Sequence, residues 1–328
     1  MPSAAGQGFC LKLSNRFRQP IRSGAATSGG VATPGGVPGR GAALGVVKRA
    51  AGGDVGKLPL KFAGEGIVNG EHDWETFKQK FFAKSKIDLN NYKPAQMQRR
   101  ITNLMNRHGV STYMAFYGLL ETNPGLYKEF VDYLTINVTE FFRTPEKFVE
   151  LETKVFPDLL SRSRSLNIWS AGCSTGAEPY SVAMILLDLT PTVKHRILAT
   201  DIDVEMLAKA QKGIYPAADL KNVSPARLAK YFRPIDANNS AISEAVKQRV
   251  EFQRHNLLLD KFETGFDLIL CRNVVIYFTE EAKESLYRRF FASLKPGGVL
   301  FVGGTEAILN FRDIGFQHYI PFFYRKPL

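Results

Sequence analysis

Between Ile168 and Asp203 the chain sets a small-residue loop and several acids at spacings suited to holding a nucleoside. The apolar pair Ile168-Trp169 runs into Ala171-Gly172-Cys173-Ser174-Thr175-Gly176. Glycines there let the backbone turn tightly and approach a ligand at the end of a strand. A helix opens at Pro179 with Val182, Ile185, Leu186 and Leu189 on one face, and Glu178 stands at its start. Ala199-Thr200-Asp201-Ile202-Asp203 ends a second strand in an acid about 25 residues beyond Gly176, where a carboxylate can accept both hydroxyls of a ribose.

A dinucleotide site would need G-x-G-x-x-G, so that a pyrophosphate could rest on the helix N-terminus. Here the spacing is Gly172 to Gly176 only, and Glu178 stands where a phosphate would be. Its charge repels pyrophosphate and suits an ammonium, and no Walker A sequence occurs. Adenosine and an ammonium without phosphate describe S-adenosyl-L-methionine, the expected cofactor. Taken alone, a Gly-x-x-x-Gly turn serves a structural role as readily. Two further stretches add weight. FDLILCRNVVIYF (266–278) ends a strand in Cys271-Arg272-Asn273 with Tyr277 just beyond, and INVTEFFRTPEKF (136–148) puts Asn137, Thr139 and Arg143 where they could fold over the same crevice.

The elements that must position these residues follow from periodicity. Residues 73–134 read as helical. Pro94 opens a helix to about His108 with Met97, Ile101, Leu104 and Met105 on its apolar face. Lys93, Arg100 and Arg107, spaced by seven, form a stripe flanking that face; such a stripe is a docking surface or simply a solvated edge. Helices follow at 111–121 and 124–135. From residue 146, strands expected at 167–171, 196–200, 249–254, 266–271 and 298–303 alternate with helices at 179–189, 204–212 and 279–294, the pattern of a parallel sheet covered on both faces. FQHYIPFFYRK reads as one last strand near the sheet edge. About 36 residues separate Lys212 from Arg249, far more than such a connection needs, and KYFRPI and AISEAVKQRV around Asp236–Ser240 read as an inserted hairpin over about 224–248. The expected fold class is α/β: a doubly wound, Rossmann-like sheet with a small antiparallel β insertion, preceded by an all-α N-terminal domain. The expected division is 1–68, 69–145 and 146–328.

The formal net charge of +12 on 328 residues is uneven. Residues 1–66 carry nine basic and two acidic residues and 15 of the 28 glycines, leaving only +5 on the rest. The high pI therefore describes a Gly/Pro/Arg-rich extension, expected to be disordered, and does not argue for specific nucleic-acid binding. The extension resembles an organelle transit peptide in composition, and equally an over-called start or a tether. Cys10, Cys173 and Cys271 form no C-x-x-C pair, so no zinc site or disulfide framework is expected, and a reducing, cytoplasmic setting fits. No apolar run reaches the roughly 18–20 residues of a membrane span. A monomer is expected.

The motifs VTEFFR, WSAGCSTGAEPYSVA, ATDID, YFRP, VEFQRHNLL, CRNVVIYF and LKPGGVLFVGG, in this order over about 73–328, resemble the CheR family of chemotaxis methyltransferases, which use S-adenosyl-L-methionine to esterify chemoreceptor glutamates. The resemblance implies a methyltransferase sheet and a cofactor site built from Asn137, Thr139, Arg143, Ala171, Gly172, Glu178, Asp201, Asn256, Leu257, Arg272 and Asn273. It implies Arg143 and Tyr277 as the catalytic pair, no metal, and methyl-accepting chemoreceptors as partners. Their acidic helical bundles would meet Lys93, Arg100 and Arg107. A glutamate of pKa about 4.3 is already ionised near pH 7, so the implied reaction is direct displacement without a general base, and alignment is the enzyme's task. Two departures stand out: Ala177 where Glu is frequent, and Gly303-Gly304-Thr305-Glu306 where Gly-His-Ser-Glu is common. The competing expectations are a methyltransferase of RNA or a small molecule, a non-catalytic CheR-like interaction module, and a nicotinamide oxidoreductase, which the glycine spacing disfavours.

Overall fold

The computed structural model describes residues 66–135 and 139–328. Asn137 and nearly all of the expected N-terminal extension lie outside them. Four helices come first: α1 (Gly66–Ser85), α2 (Pro94–Arg107), α3 (Tyr113–Thr122) and α4 (Pro124–Thr135). Their core is aromatic. Phe77 and Phe81 of α1 are fully buried against Phe116 and Phe130, and α2 buries Met97, Ile101, Leu104 and Met105, the face its periodicity predicts. Asp73 ties α1 to α3 by accepting from the Tyr113 and Met114 amides at 2.6 and 3.1 Å, joining Thr112 as caps of an N-terminus whose amides lack helical partners. The first helix starts at Gly66, earlier than expected.

A helical run over 145–162 leads into the sheet: α5 (Pro145–Glu150) and α6 (Phe156–Arg162), joined by a π-helical turn at Leu151–Val155. Then come β1 (Asn167–Ala171), α7 (Ala177–Leu189), β2 (Arg196–Asp201), α8 (Val204–Lys212), β3 (Ile214–Pro216), α9 (Pro225–Tyr231), β4 (Phe232–Pro234), β5 (Asn239–Ile242), α10 (Glu244–Lys247), β6 (Val250–Arg254), β7 (Phe266–Cys271), α11 (Glu280–Ser293), β8 (Leu294–Val302), α12 (Phe311–Ile314), β9 (Gln317–Ile320) and β10 (Phe323–Arg325). The main sheet runs β6-β2-β1-β7-β8-β10-β9. Its first five strands are parallel, with Ile168 opposite both Ile197 and Leu268. From β1 the chain winds out to β2 and β6, then returns to β7 on the other side of β1. That reversal opens a crevice at the strands' C-terminal ends.

Two expectations change. The C-terminal segment is a hairpin rather than one strand: Pro321, which has no N–H for a ladder, and Phe322, at φ +75°, separate β9 from β10. Only β10 pairs with β8, antiparallel, its Phe323 ring stacked on Phe301 with centroids 4.1 Å apart. The insertion is larger than a hairpin over 224–248. β4 and β5 do form one, but β3 adds to β5 to make a three-stranded antiparallel sheet in the order β3-β5-β4. Three residues ending in proline carried no strand signal; pairing Tyr215 with Ser240 makes them one. Among the described residues no helix is long and apolar enough to cross a membrane.

Candidate active site

The loop from β1 to α7 is held in a conformation that glycine permits. Gly172 (φ +82°) and Cys173 both donate to the Thr200 carbonyl, at 2.8 and 2.9 Å, tying the loop to the end of β2. A Cβ on Gly172 would stand 2.5 Å from Val274 Cγ2. Gly172→Ala therefore combines a left-handed penalty with a clash against the facing loop, about 2–4 kcal/mol together. Chemical denaturation of the variant is expected to show that loss, and calorimetry a cofactor affinity reduced more than tenfold. Cys173 lines the cleft, yet burial and the charges of Asp201 and Glu178 push its thiol well above the ordinary range, so it stays protonated and inert.

Three carboxylates organise the site from below. Asp201, at the end of β2 and 8% exposed, accepts from the Ser174 amide at 2.7 Å and the Asp203 amide at 3.0 Å. Each oxygen takes one of these bonds and keeps capacity for another donor. Burial raises its pKa, while these amides hold the rise back. Glu178, in the first turn of α7, accepts from Ser170 Oγ at 2.8 Å and pairs with Arg272 Nη1 at 3.2 Å. Glu178 is expected to meet a cationic ligand, and part of its charge is already met inside the protein. Arg272 is buried against the rings of Phe301 and Phe148 and donates through Nη2 to the Arg143 carbonyl at 2.7 Å. One guanidinium thus connects the cofactor-loop acid to the linker from the helical domain. Burial lowers its pKa and Glu178 raises it again.

The third carboxylate had no assigned role. Glu306, 4% exposed, accepts four backbone amides: Asn273 (2.5 Å) and Gly303 (2.9 Å) on Oε2, Val274 (2.8 Å) and Val275 (2.9 Å) on Oε1. It holds Asn273 at φ +60°, a conformation that costs a non-glycine residue free energy. The sequence signal is faint: an acid just past the Gly-Gly that follows β8, at the one position besides Gly303 where Gly303-Gly304-Thr305-Glu306 keeps the Gly-His-Ser-Glu pattern.

Arg143 lies between two more left-handed residues, Phe142 (φ +50°) and Thr144 (φ +65°). The linker is pinned on both sides. The Phe142 amide donates to Ser181 Oγ on α7 at 3.0 Å, and the Phe141 ring packs edge-on against Tyr215 and Phe232 of the insertion. Tyr215 also donates its hydroxyl to the Thr175 carbonyl at 2.7 Å, so the base of the insertion buttresses the cofactor loop.

The resulting cleft is open to solvent, and its empty space counted with the solvent at its mouth is about 1020 Å³. Of the residues singled out in the sequence, Thr139, Arg143, Gly172, Glu178, Asp201, Asn256, Leu257, Arg272, Asn273 and Tyr277 line it. Ala171 does not; it is fully buried at the end of β1. The Asn256 side chain spans to the helical domain, donating to the Lys86 carbonyl at 2.9 Å and accepting from Leu258. Burial, with the charge of Glu306, raises the phenol pKa of Tyr277, and the charges of Arg100 and Arg143 pull it back. The helical domain supplies a wall through Tyr92, Leu134 and Thr135. Lys93 and Arg107 lie off the cleft, each in a loose ion pair, Lys93 with Glu280 (3.8 Å) and Arg107 with Glu129 (3.4 Å). Arg100 donates to the Tyr133 carbonyl and lies over the Tyr133 ring.

Residues 137–319 match the family described as CheR methyltransferase, SAM binding domain, and residues 72–135 match CheR methyltransferase, all-alpha domain. This chain belongs to the CheR methyltransferase family. It is 41% identical over 241 residues to a chemotaxis protein methyltransferase of Listeria monocytogenes, covering 73% of this chain and 92% of that one. Identity is 35% to chemotaxis protein methyltransferase 1 of Pseudomonas aeruginosa (74% and 92% covered) and 34% to the chemotaxis protein methyltransferase of Escherichia coli (74% and 86%). The chain is accordingly an S-adenosylmethionine-dependent methyltransferase of the CheR type. The cleft fits that cofactor on its own terms. Asp201 keeps acceptor capacity for vicinal hydroxyls, and Glu178 stands at the start of α7 where a phosphate ligand would need open amides.

Proposed function

We propose that this CheR protein transfers the methyl group to glutamate side chains of chemoreceptors in the cytoplasm, forming methyl esters. The observation that carries the reading is that Arg143 and Tyr277 line the same cleft as Asp201 and Glu178, so that a guanidinium and a phenol share the space with the acids expected to hold the cofactor. A guanidinium in that position suits an anionic acceptor. The cofactor supplies an activated methyl on a sulfonium. On the protein side, Asp201 accepts the ribose hydroxyls, Glu178 faces the ammonium, and Asn256 and Leu257 flank the adenine. Thr139 completes the cofactor's surroundings, with Arg272 and Asn273 as the floor. Arg143 positions the glutamate carboxylate, as a guanidinium fork suits two oxygens. A closed bidentate pair would dampen the nucleophile, so a single positioning contact serves better. Tyr277 gives a hydroxyl that orients the acceptor. A carboxylate ionised near pH 7 needs no base; the residues exclude water and align the reactants.

The test uses methyl-labelled S-adenosylmethionine and chemoreceptor-bearing membranes, followed by mild base. Label that moves to receptor and leaves as volatile methanol is the expected result. Base-stable label would point to N- or C-methylation and overturn the reading.

Docking follows from the same charge argument. An acidic receptor helix would be steered to α2 by Lys93 and Arg107, whose internal ion pairs are long and partly exposed. The double variant Lys93→Glu/Arg107→Glu is expected to raise the receptor KM about tenfold, with a stronger effect at low salt and unchanged cofactor affinity. Steady-state kinetics at two ionic strengths decide it; an unmoved KM would remove α2 from docking. The outer edge of the insertion is a second candidate contact, for a receptor tail adding as a strand.

A further inference from the structure

The cofactor cleft is not closed by the methyltransferase domain alone. Just before α2, the chain docks on the segment after Tyr277 by a short antiparallel exchange. The Lys93 amide donates to the Tyr277 carbonyl and the Thr279 amide to the Asn91 carbonyl, both at 2.9 Å, with Tyr92 opposite Phe278. The Tyr92 ring meets Phe278 edge-on, with centroids 5.2 Å apart and planes at 90°. Backbone and ring are thus both fixed, and the side chain forms part of the same cleft wall as Asp201, Ile202 and Asn256. Burial, with the charges of Asp201 and Asp88, drives its phenol pKa upward, which keeps the hydroxyl protonated and places it within the field of the Asp201 carboxylate. No hydrogen bond from this hydroxyl to another described residue accompanies that placement. A phenol on a ring fixed by its neighbours, lining the same cleft as a carboxylate, is a preorganised contact.

We infer that Tyr92 is a cofactor-binding residue contributed by the helical domain, its hydroxyl bonding to the ribose that Asp201 also holds. The chemistry is complementary: a carboxylate can only accept from the ribose hydroxyls, whereas a phenol donates to one of their oxygens. The cofactor then bridges two domains that also meet through, among other contacts, the 91–93 exchange, the Asn256-to-Lys86 hydrogen bond and the Lys128–Glu205 ion pair. Because Lys93 and α2 follow Tyr92 directly, holding the cofactor also steadies the helix that faces the substrate.

The test is Tyr92→Phe, which keeps the ring contact with Phe278 and removes only the hydroxyl. S-adenosylhomocysteine binding, measured by calorimetry on the full chain, is expected to weaken about three- to tenfold, with thermal stability of the unliganded protein unchanged. The same titration with the 2′-deoxy and 3′-deoxy forms locates the contact: with one of the two, wild type and variant should bind equally. Hydrogen exchange supplies a second readout, since the Lys93 amide should slow on cofactor binding in the wild type and slow less in the variant. Equal affinity of wild type and Tyr92→Phe for S-adenosylhomocysteine would overturn the assignment. A penalty that persists with both deoxy forms would overturn the ribose contact. Neither result depends on which substrate is methylated.

Discussion

Arg143→Ala is expected to lower receptor methylation about a hundredfold while S-adenosylhomocysteine affinity changes less than about fivefold. The magnitude follows from removing one charged contact to the acceptor carboxylate, a bond of about 1.5–3 kcal/mol, together with the loss of alignment that a displacement reaction depends on. The backbone should survive, because what ties this linker down are its Phe142 amide on Ser181 and its own carbonyl on Arg272, neither of which needs the Arg143 side chain. Single-turnover methylation with parallel calorimetry separates the two quantities. Normal turnover would take Arg143 out of the mechanism. A matching collapse of cofactor binding would make it a cofactor residue alone. Arg143→Lys should recover only part of the rate, since an ammonium keeps the charge and loses the planar fork.

Glu306→Gln should be the most damaging isosteric change in the chain. The carboxylate is used symmetrically, two amides on each oxygen. Whichever oxygen becomes the NH2 group, two buried amides lose their acceptor and face a donor. A destabilisation of about 3–4 kcal/mol is expected, which for a domain of this size lowers Tm by roughly 6–16 °C. Below that temperature the variant should remain folded but bind cofactor weakly, because Arg272 and Asn273 sit on the corner that Glu306 clamps. Thermal denaturation and calorimetry in the cold check both parts. A variant with wild-type Tm would show that the four amides have another partner.

Much of this architecture was legible without coordinates, for identifiable reasons. The face Met97, Ile101, Leu104 and Met105 repeats with helical period, and all four residues are buried. Four of the five parallel strands carry apolar stretches and β6 alternates Val250 and Phe252 with polar residues, so each strand can be read from its own neighbourhood. The loop Gly172 to Gly176 announced a tight turn, and both glycines do adopt positive φ. What failed to show was whatever depends on pairing between distant segments. Ile214-Tyr215-Pro216 is a strand only because β5 lies alongside it, and the C-terminal run divides only where Pro321 and Phe322 make it turn.

The sequence by itself determined the family, the sheet, the cofactor class and many of the side chains that gather at the crevice, because each is written in local patterns and ordered motifs. Only the tertiary structure decided how those side chains are held. Arg272 satisfies Glu178 and the Arg143 carbonyl at once, Glu306 gathers four amides, and Tyr92 reaches the cleft from another domain. Such contacts join residues far apart in the chain, 129 positions in the case of Arg272 and Arg143. A buried charge or a backbone amide must find its partner in space, and no spacing along a single chain records which partner that will be.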